Sequence, residues 1–156
     1  MGKTMQPRLL CVDDDSAFRH FYKNLLSSYG YDVTVAANAK QALKAFLNGK
    51  IDAVLTDLEM PEMTGTELAA RLKKLRPELP VLLVSGSAQA QTAQPSSVDA
   101  TFSKGAPSSK LVDQIELLLA RRNGRKVRLS PRRFAPLGSV LASIALVAYA
   151  IPRILK

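Results

Sequence analysis

The chain of 156 residues has one cysteine and one histidine. A single thiol cannot close an intrachain disulfide, which fits a reducing compartment. Cys11 lies in the apolar run Leu9-Leu10-Cys11-Val12 and reads as a buried, inert thiol rather than a nucleophile. His20, beside Arg19, reads as a solvent-facing residue and not as a phosphoryl carrier. Acid is missing from the C-terminal part: residues 121–156 hold nine Lys and Arg but no Asp or Glu. Residues 1–120 hold 13 Lys and Arg against 13 Asp and Glu. The whole formal charge of +9 therefore belongs to the tail, and the basic composition says nothing about the partners of the N-terminal part. No secretory signal opens the chain, since Met1 to Arg8 is polar and short.

What is present is enough apolar residue, 47%, for one ordinary domain plus an appendage. The organising stretch is Ala53-Val-Leu-Thr-Asp57, followed by Met60-Pro61 and Gly65. The first residues read as a short strand buried on both faces, and the proline and glycine after them as a loop. Asp57 is thus placed at the carboxyl end of a buried strand, where open α/β sheets bind ligands. A carboxylate there is costly to bury without a partner.

Taken in order, Arg8 to Val12 is a strand ending in Asp13, Asp14 and Asp15. A helix follows with Ala17, Phe18, Phe21, Leu25 and Leu26 apolar, stopped at Tyr29-Gly30. Asp32 to Ala36 is a second strand, and Asn38 with Gln41 caps a helix through Leu47 that Asn48-Gly49 ends. Thr64 with Glu67 caps a helix lined by Leu68, Leu72 and Leu75. Pro80 to Ser85 is the fourth strand. Ser87 to Asp99 is poor in apolar residues and predicts a short or poorly packed helix. Ala100 to Ser103 is a short fifth strand closed by Lys104, and Ser109 to Arg121 is a last helix. Five strands alternating with helices imply an α/β fold with a parallel sheet covered on both faces. In the common doubly wound orders, the first and third strands are neighbours. Asp13, Asp14, Asp57, Ser85 and Lys104 then meet at one sheet edge.

Three carboxylates brought together repel and need a cation; oxygen ligands with room for water suit Mg²⁺. A lysine and a hydroxyl in the same crevice can bind phosphoryl oxygens. One carboxylate can then act as a nucleophile and form an acyl phosphate.

Together, Val12-Asp13-Asp14, Thr56-Asp57-Leu58-Glu59-Met60-Pro61 with Gly65, Val84-Ser85-Gly86, and Lys104 resemble the receiver domain of bacterial two-component response regulators. That resemblance covers residues 7–121 and implies a flavodoxin-like five-stranded parallel sheet of order 2-1-3-4-5. It implies that Asp57 is the phosphoacceptor and that Asp14 ligates Mg²⁺ directly. Asp13 holds the metal's water shell, and the backbone carbonyl of Glu59 is a further ligand. Ser85 and Lys104 bind the phosphoryl group. Glu59 and Ser87 fall at positions that set its lifetime. The implied partner is a histidine kinase or phosphotransfer protein, and the implied role is phosphorelay signalling, not enzymatic turnover. Two positions depart from the family pattern. Gly105 follows Lys104 where the family has a cis proline; a cis bond without proline costs ~3 kcal/mol, so a trans bond is expected. Thr101 stands three residues before Lys104, where the family's switch is aromatic, with Phe102 next to it. These departures support an alternative, a degenerate receiver that binds a partner without phosphorylation.

Residues 122–133 read as a basic linker, broken by Asn123-Gly124 and Ser130-Pro131. Residues 134–152 carry no charge. Nineteen helical residues reach about 28 Å, roughly a hydrocarbon core, and their apolar side chains go all round. The segment predicts a transmembrane helix. Seven basic residues from Arg121 to Arg133 precede it and two follow. That asymmetry places a single-pass protein in the cytoplasmic membrane with its receiver facing the cytoplasm. A peripheral or protein-buried helix is the other reading of its length. The basic run lacks interleaved aromatics and abuts the apolar segment, so it reads as facing anionic lipid. No nucleic-acid partner is expected, because no recognition helix is present. Small residues in the segment, such as Gly138 and Ala142, leave a homodimer through the tail helix or the receiver open.

Overall fold

The structure, a computed structural model, describes residues 6–86 and 95–124. The elements in chain order are β1 (Arg8–Val12), α1 (Ser16–Ser28), β2 (Asp32–Ala36), α2 (Ala39–Asn48), β3 (Ala53–Asp57), α3 (Gly65–Leu75), β4 (Val81–Ser85), β5 (Ala100–Ser103) and α4 (Ser108–Arg122). The strands form one parallel sheet of order β2-β1-β3-β4-β5. This is the parallel sheet expected from the alternation of strands and helices, in the flavodoxin-like order that the resemblance to receiver domains implies.

Alternate strand residues feed two cores, as the pleat requires. Leu9, Cys11, Leu55, Leu82, Val84 and Phe102 pack with α1 and α4. Leu10, Val12, Val54, Val81 and Leu83 pack with α2 and α3 on the other face. Cys11 is fully buried, and burial pushes its thiol up to about 12, so it is inert.

The local signals act where they stand. Asp15 caps α1 by accepting from the Ala17 N–H. Thr64 and Glu67 form a reciprocal capping box on α3. Asn38 caps α2, but the Gln41 side chain reaches the Ala37 N–H instead of the cap's own. Gly30 takes φ +86° after α1, the left-handed region that glycine enters freely.

Two core assignments change. Tyr22, not Phe21, is the buried aromatic of α1: Tyr22 is 3% exposed and Phe21 39%. The i, i+4 stripe runs Phe18-Tyr22-Leu26 and leaves Phe21 one step off it. Leu75 ends α3 at 57% exposure, and Leu79 fills the core just beyond the helix end. The expected helix after β4 falls mostly on residues 87–94, which lie outside the described residues. Pro95 to Val98 closes as a turn, with the Val98 N–H donating to the Pro95 carbonyl. Among the described residues no helix is long and apolar enough to cross a membrane. The predicted span at 134–152 and most of the basic linker lie outside the described residues, while Arg122 is the last residue of α4.

At the amino end of the sheet, Asp52 ties three segments together. Its carboxylate accepts from the Arg8 N–H at 2.9 Å and Arg8 Nε at 3.2 Å, and from Arg122 Nη1 at 3.0 Å. This fastens the end of α4 to the starts of β1 and β3, the pole opposite Asp57. Burial alone would raise the Asp52 carboxyl, but its bonds to Arg8 and then Arg122 outweigh it and hold the group below its ordinary value. A depressed folded-state value stabilises the fold above the unfolded value, about pH 4, and that contribution is lost as pH falls through the folded one. Asp52→Asn is therefore expected to lower the melting temperature at pH 7. The deficit relative to wild type should close as the pH is taken below about 4, measured by thermal denaturation.

Candidate functional site

The site lies at the carboxyl edge of the sheet, where the strand order switches between β1 and β3. β1 delivers Asp13 and Asp14, and β3 ends on Asp57. Asp57 pairs in register with Val84, so Ser85 lies one residue further along the neighbouring strand. Ser103 pairs with Ser85, and Lys104 follows it, its N–H donating to the Ser85 carbonyl at 2.9 Å. The parallel register alone thus converges four chain segments on one crevice.

Asp13 is 1% exposed and Asp57 7%, while Asp14 is open to solvent. Carboxylate oxygens of Asp13, Asp14 and Asp57 lie within 4.8 Å of one another. The Lys104 Nζ bridges two of them, 2.9 Å from Asp13 Oδ2 and 3.2 Å from Asp57 Oδ1. Asp13 Oδ1 accepts from the Asp15 N–H. Asp13 Oδ2 is buried and meets the lysine as an ion pair without hydrogen-bond alignment.

Burial raises the Asp57 carboxyl, and the Lys104 hydrogen bond offsets only part of that. For Lys104, burial works against the charged form, but Asp13 and then Asp57 outweigh it and hold the ammonium above its ordinary value. One lysine facing three carboxylates leaves the crevice net negative. An all-oxygen donor set with a misaligned buried lone pair fits a hard divalent cation such as Mg²⁺.

The loops are shaped for this placement. Gly65 approaches the Asp57 backbone so closely that a Cβ on it would stand 2.0 Å from the Asp57 carbonyl oxygen. Its N–H donates to the Leu58 carbonyl. Between them Glu62 adopts φ +68°, and the Met63 N–H donates to the Pro61 carbonyl, a strained three-residue turn. Glu59, expected to offer its backbone carbonyl, lies two residues past Asp57 with its side chain exposed. The Lys104–Gly105 peptide is trans, as expected without proline. Thr101 is half-buried, and Phe102 is directed into the core.

Three contributors were not legible beforehand. Arg19 Nη1 donates to the carbonyls of both Asp13 and Asp14 at 2.8 Å, clamping the acidic loop. Its spacing into the first turns of α1 was the available signal. The Thr56 hydroxyl donates to the Asp57 carbonyl. Phe18, taken as a core residue, places its ring under the Lys104 ammonium, 4.0 Å from the centroid.

Fold and site together define a small α/β module with an acidic, lysine-bridged crevice at the switch edge of its sheet. The family profile described as response regulator receiver domain matches residues 9–116, and the chain belongs to that family. It is 40% identical over 85 residues to the DNA-binding transcriptional regulator NtrC of Rhizobium meliloti (strain 1021), a match covering 54% of this chain and 18% of that protein. The chain thus spans about a fifth of that relative's length. Among solved structures, the CheY-like receiver domain protein from Methanospirillum hungatei JF-1 is 30% identical, with a TM-score of 0.69, covering 77% of this chain and 98% of that one. TrrA from Thermotoga maritima, crystallised in complex with Mg²⁺-BeF, is 29% identical, with a TM-score of 0.69, covering 72% and 99%.

Because the Asp57 carbonyl is backbone and cannot rotate away, Gly65→Ala should force the β3–α3 loop apart. A cost of about 3 kcal/mol is expected, the upper end for overpacking, read from denaturant unfolding. An unchanged midpoint would show that the loop can yield.

Proposed function

We propose that this receiver takes a phosphoryl group onto Asp57 from a histidine kinase or phosphotransfer protein. The observation that carries the reading is the buried Asp57 carboxylate bridged by Lys104 within a cluster of three carboxylates. An Asp57 oxygen attacks the phosphorus of a phosphohistidine. The P–O bond forms as the P–N bond breaks, and the imidazole leaves and takes a proton from solvent. Lys104 holds a positive charge beside the phosphoryl oxygens, with Ser85 one strand over. Asp13, Asp14, Asp57 and the Glu59 carbonyl would hold Mg²⁺, which when bound neutralises charge on the transferring group. The module is a stoichiometric acceptor, not an enzyme that turns over a substrate. The trans Lys104–Gly105 bond still allows the lysine to reach both carboxylates, which favours a competent receiver over the phosphorylation-independent alternative.

The second part of the reading is a tether. Residues 134–152 are uncharged and preceded by seven basic residues from Arg121 to Arg133. These features support a single crossing of the cytoplasmic membrane with the receiver on the cytoplasmic side. Arg122 at the end of α4 is bonded to Asp52 at the pole away from Asp57, which supports a reading in which a kinase reaches the acceptor while the tail is anchored.

The test is intact-mass spectrometry of the full chain treated with acetyl phosphate. A Mg²⁺-dependent phosphoryl adduct is expected on wild type and absent from Asp57→Asn. A folded wild type with no adduct would end the phosphoacceptor reading. In parallel, the full chain should fractionate with membranes and a chain ending at Gly124 should not; identical soluble behaviour would end the tether reading.

A further inference from the structure

The Lys104 ammonium is held by a contact that the proposed chemistry does not use. Its Nζ sits 4.0 Å from the centre of the Phe18 ring, with 15% of the side chain exposed. That ring is not loose. Phe18 is half-buried against the α1–α4 core, and it stacks on Tyr22 at 6.1 Å and 23°, Tyr22 itself being buried. A cation over an aromatic face is attracted by the ring's quadrupole, and more so when partly desolvated.

The Lys104 backbone is fixed on both sides: its N–H donates to the Ser85 carbonyl at 2.9 Å, and the Ala106 N–H donates to the Ser103 carbonyl at 3.0 Å, closing a turn over Lys104 and Gly105. The Gly105 N–H adds a long contact to Ser103 Oγ at 3.4 Å, so what remains to be positioned is the flexible lysine side chain beyond that turn. A Cβ on Gly105 would find Ser103 Oγ alone, at 3.9 Å, so sterics do not demand glycine there. The ammonium's position then rests on Asp13, Asp57 and Phe18. The two carboxylates are the groups that a cation and a phosphoryl group would engage. The ring is the contact for which neither competes.

We propose that Phe18 is a positioning residue: its ring face holds the Lys104 ammonium at the mouth of the pocket while Asp13 and Asp57 are engaged. This inference rests on the phosphoacceptor reading above. A lysine already in place needs no reorganisation when charge develops on the phosphoryl oxygens.

The experiment replaces Phe18 in the full chain with mono-, di- and trifluorophenylalanine, which drain the ring's negative face with little change of volume. Phe18→Leu and Phe18→Tyr complete the set. The rate of phosphorylation by acetyl phosphate with Mg²⁺ should fall stepwise with fluorine number. About a fivefold loss is expected for the trifluoro ring and for leucine, and tyrosine should retain the wild-type rate. A packing role alone would lower the melting temperature of Phe18→Leu and leave the fluorinated series flat in rate; that result overturns the proposal. A second readout needs no phosphodonor. In selectively labelled protein the Lys104 ε-methylene protons should be displaced upfield by the ring, and the displacement should vanish in Phe18→Leu. Phosphorylation insensitive to fluorination would defeat this inference alone. A displaced lysine resonance in a chain that takes up no phosphoryl group would defeat the phosphoacceptor reading, and the positioning role with it.

Discussion

The structure depends on one electrostatic arrangement: a single ammonium, that of Lys104, lying between the buried carboxylates of Asp13 and Asp57 at 2.9 and 3.2 Å. Two such groups at adjacent strand ends would repel if left alone, and burial makes each charge more costly. The lysine offsets this only in part, since Asp14 brings a third carboxylate to the cluster. The remaining negative charge is what suits the crevice to a divalent cation. The same lysine, held from below by the Phe18 ring, is the group positioned to meet phosphoryl oxygens. On the proposed reading, metal affinity, nucleophile and phosphoryl binding come from one balance of charges.

The backbone is built to keep that balance in place. Parallel register brings the ends of β1, β3, β4 and β5 together, so the site needs no long loop to assemble. Arg19 holds the two carbonyls of the acidic loop, and Gly65 lets the following loop fold back onto Asp57. At the opposite pole, Asp52 with Arg8 and Arg122 closes the fold and sets where the basic tail begins. Asp57 and the end of α4 thus lie at opposite ends of the strands.

Much of this was legible in the sequence, for identifiable reasons. The strands are short apolar runs flanked by turn residues, and each fell within a residue of its expected bounds. Asp13, Asp14, Asp57, Ser85 and Lys104 could be placed at one edge because strand-helix alternation leaves few topologies. What was not legible depends on side-chain direction. On α1 both Phe18-Tyr22-Leu26 and Ala17-Phe21-Leu25 have i, i+4 spacing, and packing on the sheet decides that the first buries its aromatic. The role of Phe18 depends on a lysine far from it in sequence, and that of Arg19 on its side chain turning back to the carbonyls of Asp13 and Asp14. The glycine after Lys104 predicted the trans peptide correctly, but it could not show that the lysine still reaches both carboxylates.

The most direct measurement of the central claim is the melting temperature of the chain as Mg²⁺ is titrated at constant ionic strength. If the carboxylates form a cation site held short of neutrality by one lysine, the wild-type melting temperature rises with Mg²⁺ through binding to the folded state. Asp13→Asn and Asp57→Asn should lose that rise. A wild-type response no larger than that of the two variants would contradict the account.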